Sequence, residues 1–175
     1  RKSKTMSELT RLNFKIRDAV RSDMESVHRI FNEILLRSTA TFEEEPTQIE
    51  GWLEIFDFKK SNHIPFLVVE FEGAVIGYGS YGAFRKASGY KITVEHSLHV
   101  DELFRGRGIG QALLSELIQR ASKRGVQNMI AAIDADNLAS IKLHEKFDFK
   151  IVGQLENVAR KFSRDLSLVL MQLRL

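Results

Sequence analysis

The spacing of apolar positions changes several times along the chain, and each change marks an element. Residues 14–17 read as a short strand. Val27, Ile30, Phe31, Ile34 and Leu35 then recur at three- and four-residue spacing, which predicts a helix with one buried stripe. Ser22-Asp23-Met24-Glu25 precedes it in the form of a capping box, where the Ser hydroxyl and the Glu carboxylate take up unpaired helix N–H groups. A second box, Thr47-Gln48-Ile49-Glu50, opens another helix, with Ile49, Trp52, Leu53 and Phe56 on one face. The loop over 38–46 is polar and contains a single aromatic residue, Phe42.

Beyond residue 65 the pattern becomes that of strands. An apolar run at 66–71 turns at Glu72-Gly73 into a second run at 74–81, which predicts a hairpin. Gly77, Gly79 and Gly82 alternate with aromatics there, marking a bulge or a close approach of backbone. Residues 90–100 form a fourth strand. Ile109, Leu113, Leu117 and Ala121 then mark a helix, ended by Lys123-Arg124-Gly125, whose cations and glycine complement the last carbonyls. Residues 129–133 make a buried fifth strand, Asp136-Asn137 caps a short helix through Phe147, and 149–155 and 166–173 close the chain as two strands. The order predicts a mixed α/β sheet. No repeat or linker interrupts it, so residues 14–175 are read as one domain behind an N-terminal tail over 1–13.

Composition narrows the chemistry. With 175 residues, 43% apolar and 28% charged, the chain sits near globular averages. It has no Cys, which excludes disulfides, thiolate zinc sites, iron–sulfur clusters and a cysteine nucleophile. No apolar stretch reaches the roughly 18 residues of a membrane span, so no membrane partner is expected. Lys and Arg total 26 against 23 Asp and Glu, and Arg1, Lys2 and Lys4 supply the whole excess. The remaining body is neutral and gives no charge argument for nucleic acid. The basic residues at 1–5 are followed by no apolar signal segment, and the protein is read as cytoplasmic.

The most informative stretch is Arg105-Gly106-Arg107-Gly108-Ile109-Gly110-Gln111, where a strand ends and an amphipathic helix begins. Glycines let successive N–H groups face one concavity, and the helix N-terminus favours an anion there. Arg105 and Arg107 add two permanent charges, so the turn suits a diphosphate. It lacks the Lys-Ser/Thr pair of a Walker loop and the spacing of the dinucleotide fingerprint. An ordinary tight turn rich in Gly and Arg is the plain alternative.

This turn resembles the R/Q-x-x-G-x-G/A pyrophosphate loop of the GCN5-related N-acetyltransferases (GNAT). Asn137 through Phe149 resembles the same fold's second acetyl-CoA motif. A nearer similarity, to the phosphinothricin and methionine sulfoximine acetyltransferase branch, is carried by Thr39-Ala40-Thr41-Phe42, Phe84-Arg85, Thr93-Val94-Glu95-His96-Ser97, Leu143-His144-Glu145, Arg160-Lys161-Phe162 and Leu168-Val169-Leu170-Met171-Gln172. The resemblance implies an α/β GNAT fold: about seven strands splayed between the fourth and fifth, flanked by about four helices, with acetyl-CoA in the gap and no metal. It implies that backbone at Leu98, His99 and Val100 pairs with the pantetheine, and that Gly106, Arg107, Gly108, Ile109, Gly110 and Gln111 hold the pyrophosphate beside Arg105. It further implies a cofactor bond from Asn137, an oxyanion donor near Leu98 and a homodimer.

Transfer to an amine needs a base and a stabilised leaving thiolate. Glu95 is the candidate base, its plain alternative being a solvent-facing residue of an alternating strand. His144 stands where many relatives carry a Tyr bonded to the departing sulfur, and is a candidate acid; the alternative is a histidine that packs or faces solvent. His96 and His99 fall on opposite faces of a regular strand and cannot share a metal. Arg85 is a candidate fork for a substrate carboxylate, and Phe42 and Tyr90 are candidate pocket walls. Asp148 stands where the motif has Gly, and Asp165 and Ser167 replace the Trp and Asp of relatives. The expected activity is direct acetyl transfer from acetyl-CoA to a small amino-acid-like amine of phosphinothricin or methionine sulfoximine type. Rival expectations are a different small amine, a non-catalytic CoA sensor, and a nucleic-acid binder resting on the tail alone.

Overall fold

A computed structural model of the protein describes residues 13–175, so all but the last residue of the expected tail, including the basic residues at 1–5, lies outside it. Seven strands and four helices follow in the order β1 (Lys15–Asp18), α1 (Met24–Arg37), α2 (Ile49–Ser61), β2 (Phe66–Phe71), β3 (Ala74–Ala83), β4 (Thr93–Val100), α3 (Ile109–Lys123), β5 (Asn128–Asp134), α4 (Leu138–Glu145), β6 (Lys150–Lys161) and β7 (Arg164–Arg174). The strands form one sheet in the order β1-β2-β3-β4-β5-β7-β6. Every neighbouring pair is antiparallel except β4 and β5.

Alternation along the central strands builds two cores, one per sheet face. Phe66, Val68 and Tyr78 pack under α1 and α2, against Met24, Val27, Ile30, Ile34 and Phe56. Leu67 and Val69 face the other way, with Ile109, Leu113, Leu114, Leu117 and Ala121 of α3. At Gly79 the leucines of α3 press onto β3: a Cβ there would lie 2.9 Å from Leu117 Cδ1, 3.2 Å from Leu98 Cβ and 3.3 Å from Leu113 Cδ2, so a larger residue would force these buried side chains to shift.

Three local expectations are corrected. Neither predicted capping box forms, since α1 and α2 have no side-chain cap. Asp23 instead accepts from Val20 N–H at 2.8 Å and takes both terminal nitrogens of Arg17, at 2.7 and 2.9 Å. The Thr47 hydroxyl is drawn away by Asn32 Oδ1 and Trp52 Nε1, each at 2.9 Å. Residues 88–92 form a 3-10 turn, so β4 begins at Thr93. The sixth strand runs six residues beyond its predicted end, to Lys161.

The expected splay is present. β4 and β5 pair only at Thr93–Asn128, Val94–Met129 and Glu95–Ile130. Beyond Glu95, β4 continues along β3 as far as Val100, whereas β5 continues along β7 as far as Asp134.

Candidate active site

The divergence of β4 from β5 opens a cleft of about 820 Å³. Its lining joins the end of β4 (Leu98, His99, Val100) to the turn and first helical residues Arg105, Gly106, Gly108, Ile109, Gly110 and Gln111. Gly106 and Gly108 have φ of 73° and 80°, a left-handed conformation that glycine adopts without steric cost. The first intrahelical bond beyond the turn runs from Ala112 N–H to Gly108 O at 3.0 Å. Helix geometry therefore leaves the N–H groups of Ile109, Gly110 and Gln111 without intrahelical acceptors beside the cleft, a favourable place for an anion. Arg105 is held by its Nε, which donates to Val100 O at 3.2 Å. Arg107 is absent from the lining, its guanidinium sitting 5.7 Å from the centroid of the Phe104 ring.

The opposite wall comes from the end of β5, the start of α4 and the loop after α1. Asn137 lines the cleft and caps α4, its side-chain oxygen accepting from Ser140 N–H at 3.1 Å. Asp134, buried at the end of β5, accepts from Asp136 N–H at 3.0 Å and from the Thr39 hydroxyl. Sequence reasoning assigned no site role to Ser38, Thr39 and Ala40, to the α4 face of Ala139, Ser140 and Leu143, or to the cations Lys146 and Arg164, although Thr39, Ala40 and Leu143 stand in the motifs quoted above. The three- and four-residue spacing of 139, 143 and 146 was the available signal for the α4 face.

His144 lies beneath this wall, 3% exposed. Its Nδ1 is 2.7 Å from Ser140 O, and its Nε2 is 2.9 Å from His96 Nε2. A carbonyl only accepts, so Nδ1 carries the hydrogen, Nε2 of the neutral ring is bare, and His96 donates to it. Burial drives the pKa of His96 down to about 3, with repulsion from His144 and His99 adding to the effect. Burial lowers that of His144 as well, against the Ser140 carbonyl. Both nitrogens of His144 are engaged, and the pair ties β4 to α4. His99 faces the other helical layer, stacked on Tyr78 at 5.5 Å with its ring edge-on to Phe31 at 5.7 Å.

Glu95 points to the face opposite Val94 and His96 and is exposed, three residues before the cleft-lining Leu98. Partial burial of its carboxyl raises its pKa, and attraction from Arg85 opposes the rise. Arg85 and Tyr90 line a separate hollow of about 340 Å³ that includes Thr93 and Val94, at the other end of β4. There Arg85 covers the Phe84 ring at 4.6 Å, and Tyr90 meets that ring edge-on at 5.8 Å. Phe42 is half-buried in the loop after α1, outside the cleft lining. Among the described residues no three His, Cys, Asp or Glu side chains converge as a metal site.

A strand edge beside an anion-binding turn is the arrangement needed by a ligand that carries amides at one end and a diphosphate at the other. Known proteins agree with that geometry. Residues 25–149 match the model of the Acetyltransferase (GNAT) family. An L-methionine sulfoximine/L-methionine sulfone acetyltransferase of Pseudomonas paraeruginosa is 41% identical over 161 residues, 91% of this chain and 94% of that protein. The phosphinothricin N-acetyltransferase of Streptomyces viridochromogenes is 30% identical over 146 residues, 83% of this chain and 79% of that one. The crystal structure of a GNAT superfamily phosphinothricin acetyltransferase from Sinorhizobium meliloti in complex with AcCoA superposes with a TM-score of 0.90 at 37% identity, covering 93% of this chain and 88% of that one. Sheet divergence, glycine turn and near full-length similarity converge on one conclusion: this chain belongs to the GNAT family of acetyltransferases.

Proposed function

We propose that the protein is an acetyl-CoA-dependent N-acetyltransferase for small amino-acid-like amines, of which methionine sulfoximine and phosphinothricin are the model acceptors. The observation that carries the proposal is the shared opening of the β4 edge at Leu98–Val100 and the turn at Gly106–Gly108 onto one cleft. Leu98, His99 and Val100 offer backbone groups to the pantetheine amides, while N–H groups from Gly106 to Gln111, with Arg105, hold the diphosphate. Asn137 presents its amide from the start of α4. Acetyl-CoA, when bound, supplies an activated acyl thioester.

Glu95 takes a proton from the acceptor ammonium, so that the nitrogen lone pair is free to form the C–N bond; as the C–S bond breaks, the proton that the nitrogen sheds in becoming an amide passes to the departing thiolate, which leaves as the free thiol. A backbone N–H near Leu98 is assigned to the carbonyl oxygen as it gains charge. Arg85, whose charge reaches Glu95, and the wall residues Phe42 and Tyr90 are assigned to the acceptor side. With no Cys in the chain, direct transfer in a ternary complex is the simplest route. His144 is assigned to hold α4 in place as a neutral imidazole. The deciding experiment incubates the purified protein with acetyl-CoA and a panel of methionine sulfoximine, phosphinothricin and other small amines, following release of free thiol. Thiol release that depends on the amine supports the proposal; none with any amine overturns it.

A homodimer belongs to the same proposal, with the protein acting in the cytoplasm. β6 is the outer strand of the sheet, and Ile151, Val152, Leu155, Val158 and Phe162 along and just past it are 46–56% exposed. A long apolar edge strand left open invites aggregation, and a second copy meeting it across a twofold axis removes that hazard.

A further inference from the structure

Lys161 is the only lysine or arginine that the fold buries among the described residues, at 2% exposure. It ends β6, next to the turn residues Phe162 and Ser163, whose φ values are 51° and 59°. Its ammonium reaches across to the loop after α1, donating to Ser38 O at 2.9 Å and to Thr41 O at 2.8 Å. Burial pushes its pKa below the ordinary lysine value, and Glu44 and Glu43 of the same loop oppose that by attraction.

The segment that Lys161 grips contains neither helix nor strand, and Phe42 is its one large apolar side chain. Hydrophobic packing therefore supplies little to fix it, and polar ties must do so. Thr39 provides one through its hydroxyl on Asp134, at the end of β5. Lys161 provides two more, from β6. Between these anchors Ser38, Thr39 and Ala40 form part of the cleft wall. Lys161 is absent from the lining itself and directs its hydrogens at backbone carbonyls, so it acts through the loop and not on a substrate.

We propose that Lys161 is a positioning residue for acceptor recognition: its buried ammonium staples the loop at Ser38 and Thr41 and so fixes Phe42, the next residue, in the place assigned above to an acceptor-side wall. The inference rests on the acetyl-transfer reading above, and its test separates the two. In Lys161→Met, amide hydrogen exchange over residues 38–44 should quicken by about tenfold or more, while exchange over 106–111 stays unchanged. The KM for methionine sulfoximine should rise by about tenfold, and the affinity for acetyl-CoA measured by calorimetry should hold within about twofold. Unchanged exchange in the loop overturns the staple. Quickened exchange with an unchanged acceptor KM, or equal losses toward both substrates, overturns the role in recognition. Should Lys161→Met fail to fold, Lys161→Gln shortens the staple while keeping a polar head and should shift exchange and acceptor KM in the same directions; no shift in either overturns the proposal. The exchange readout needs no acceptor, so a wild-type protein inert toward every amine refutes the reaction while exchange still decides the staple.

Discussion

A carboxylate proposed to deprotonate an ammonium gains from an environment that disfavours its charge, and Glu95 has one. Its base form is lost as pH falls through a pKa raised above the ordinary carboxylate value, so the acid limb of kcat/KM for the acceptor should lie above pH 4.3, the approximate value for a free Glu. Glu95→Gln should lower kcat by about 10²-fold or more with little change in acetyl-CoA affinity. A raised folded-state pKa means that ionised Glu95 weakens the fold at high pH. The same variant should therefore melt slightly higher than wild type at pH 8 and equally at pH 4, as calorimetry would read. Gly108→Ala tests the turn: an L side chain at φ 80° costs about 1–2 kcal/mol, and calorimetric affinity for acetyl-CoA should fall. Gly106 and Gly108 were legible in sequence because their backbone needs glycine. The outward swing of Arg107 was not, since it depends on where the Phe104 ring lies. For Arg85 and Tyr90, sequence order conceals that they line a hollow at the far end of β4 from the glycine turn.

Among elements, the β4–α4 tie carries the clearest pH signature. His96 and His99 are held neutral with pKa values near 3 and 4, against 6.5 for a free histidine. A depressed folded-state pKa adds stability in full above pH 6.5 and loses it as pH falls toward 3. The double variant His96→Leu, His144→Leu removes both the bond and much of this titration. Its melting temperature should fall less than that of wild type between pH 7 and pH 4. Helix stripes, the β2–β3 hairpin and the Asn137 cap were readable because burial imposes a period or a cap supplies a local partner. The second capping box was misread because Asn32 and Trp52, brought in by tertiary folding, compete for the Thr47 hydroxyl; at the first, Asp23 rather than Ser22 takes up a backbone N–H, that of Val20. The length of β6 was hidden for another reason. It is exposed along almost its whole length, so its sequence carries no alternation, and Asn157 at φ 51° adds an irregularity. Asp148, at the position where the resembled motif has Gly, takes φ 64°, a conformation that Asp tolerates better than most residues.

For the whole molecule, the exposed row on β6 leads to a test of the proposed dimer: wild type should sediment as a dimer and Val158→Lys as a folded monomer. Fold class and cleft were legible because one glycine turn between a strand and a helix locates both. The α1–α2 loop was not, because a polar segment takes its position from distant partners such as Lys161. The three-rung seam between β4 and β5 has a thermodynamic corollary. Beyond Glu95 the backbone ladder between the two halves of the sheet is interrupted, and on the proposed reading the thioester, when bound, supplies the missing rungs. The domain then completes its own architecture only in the presence of its substrate. At a ligand concentration near 100 times Kd the gain is about 2.7 kcal/mol, and slowed hydrogen exchange should be concentrated in the diverging ends of those two strands.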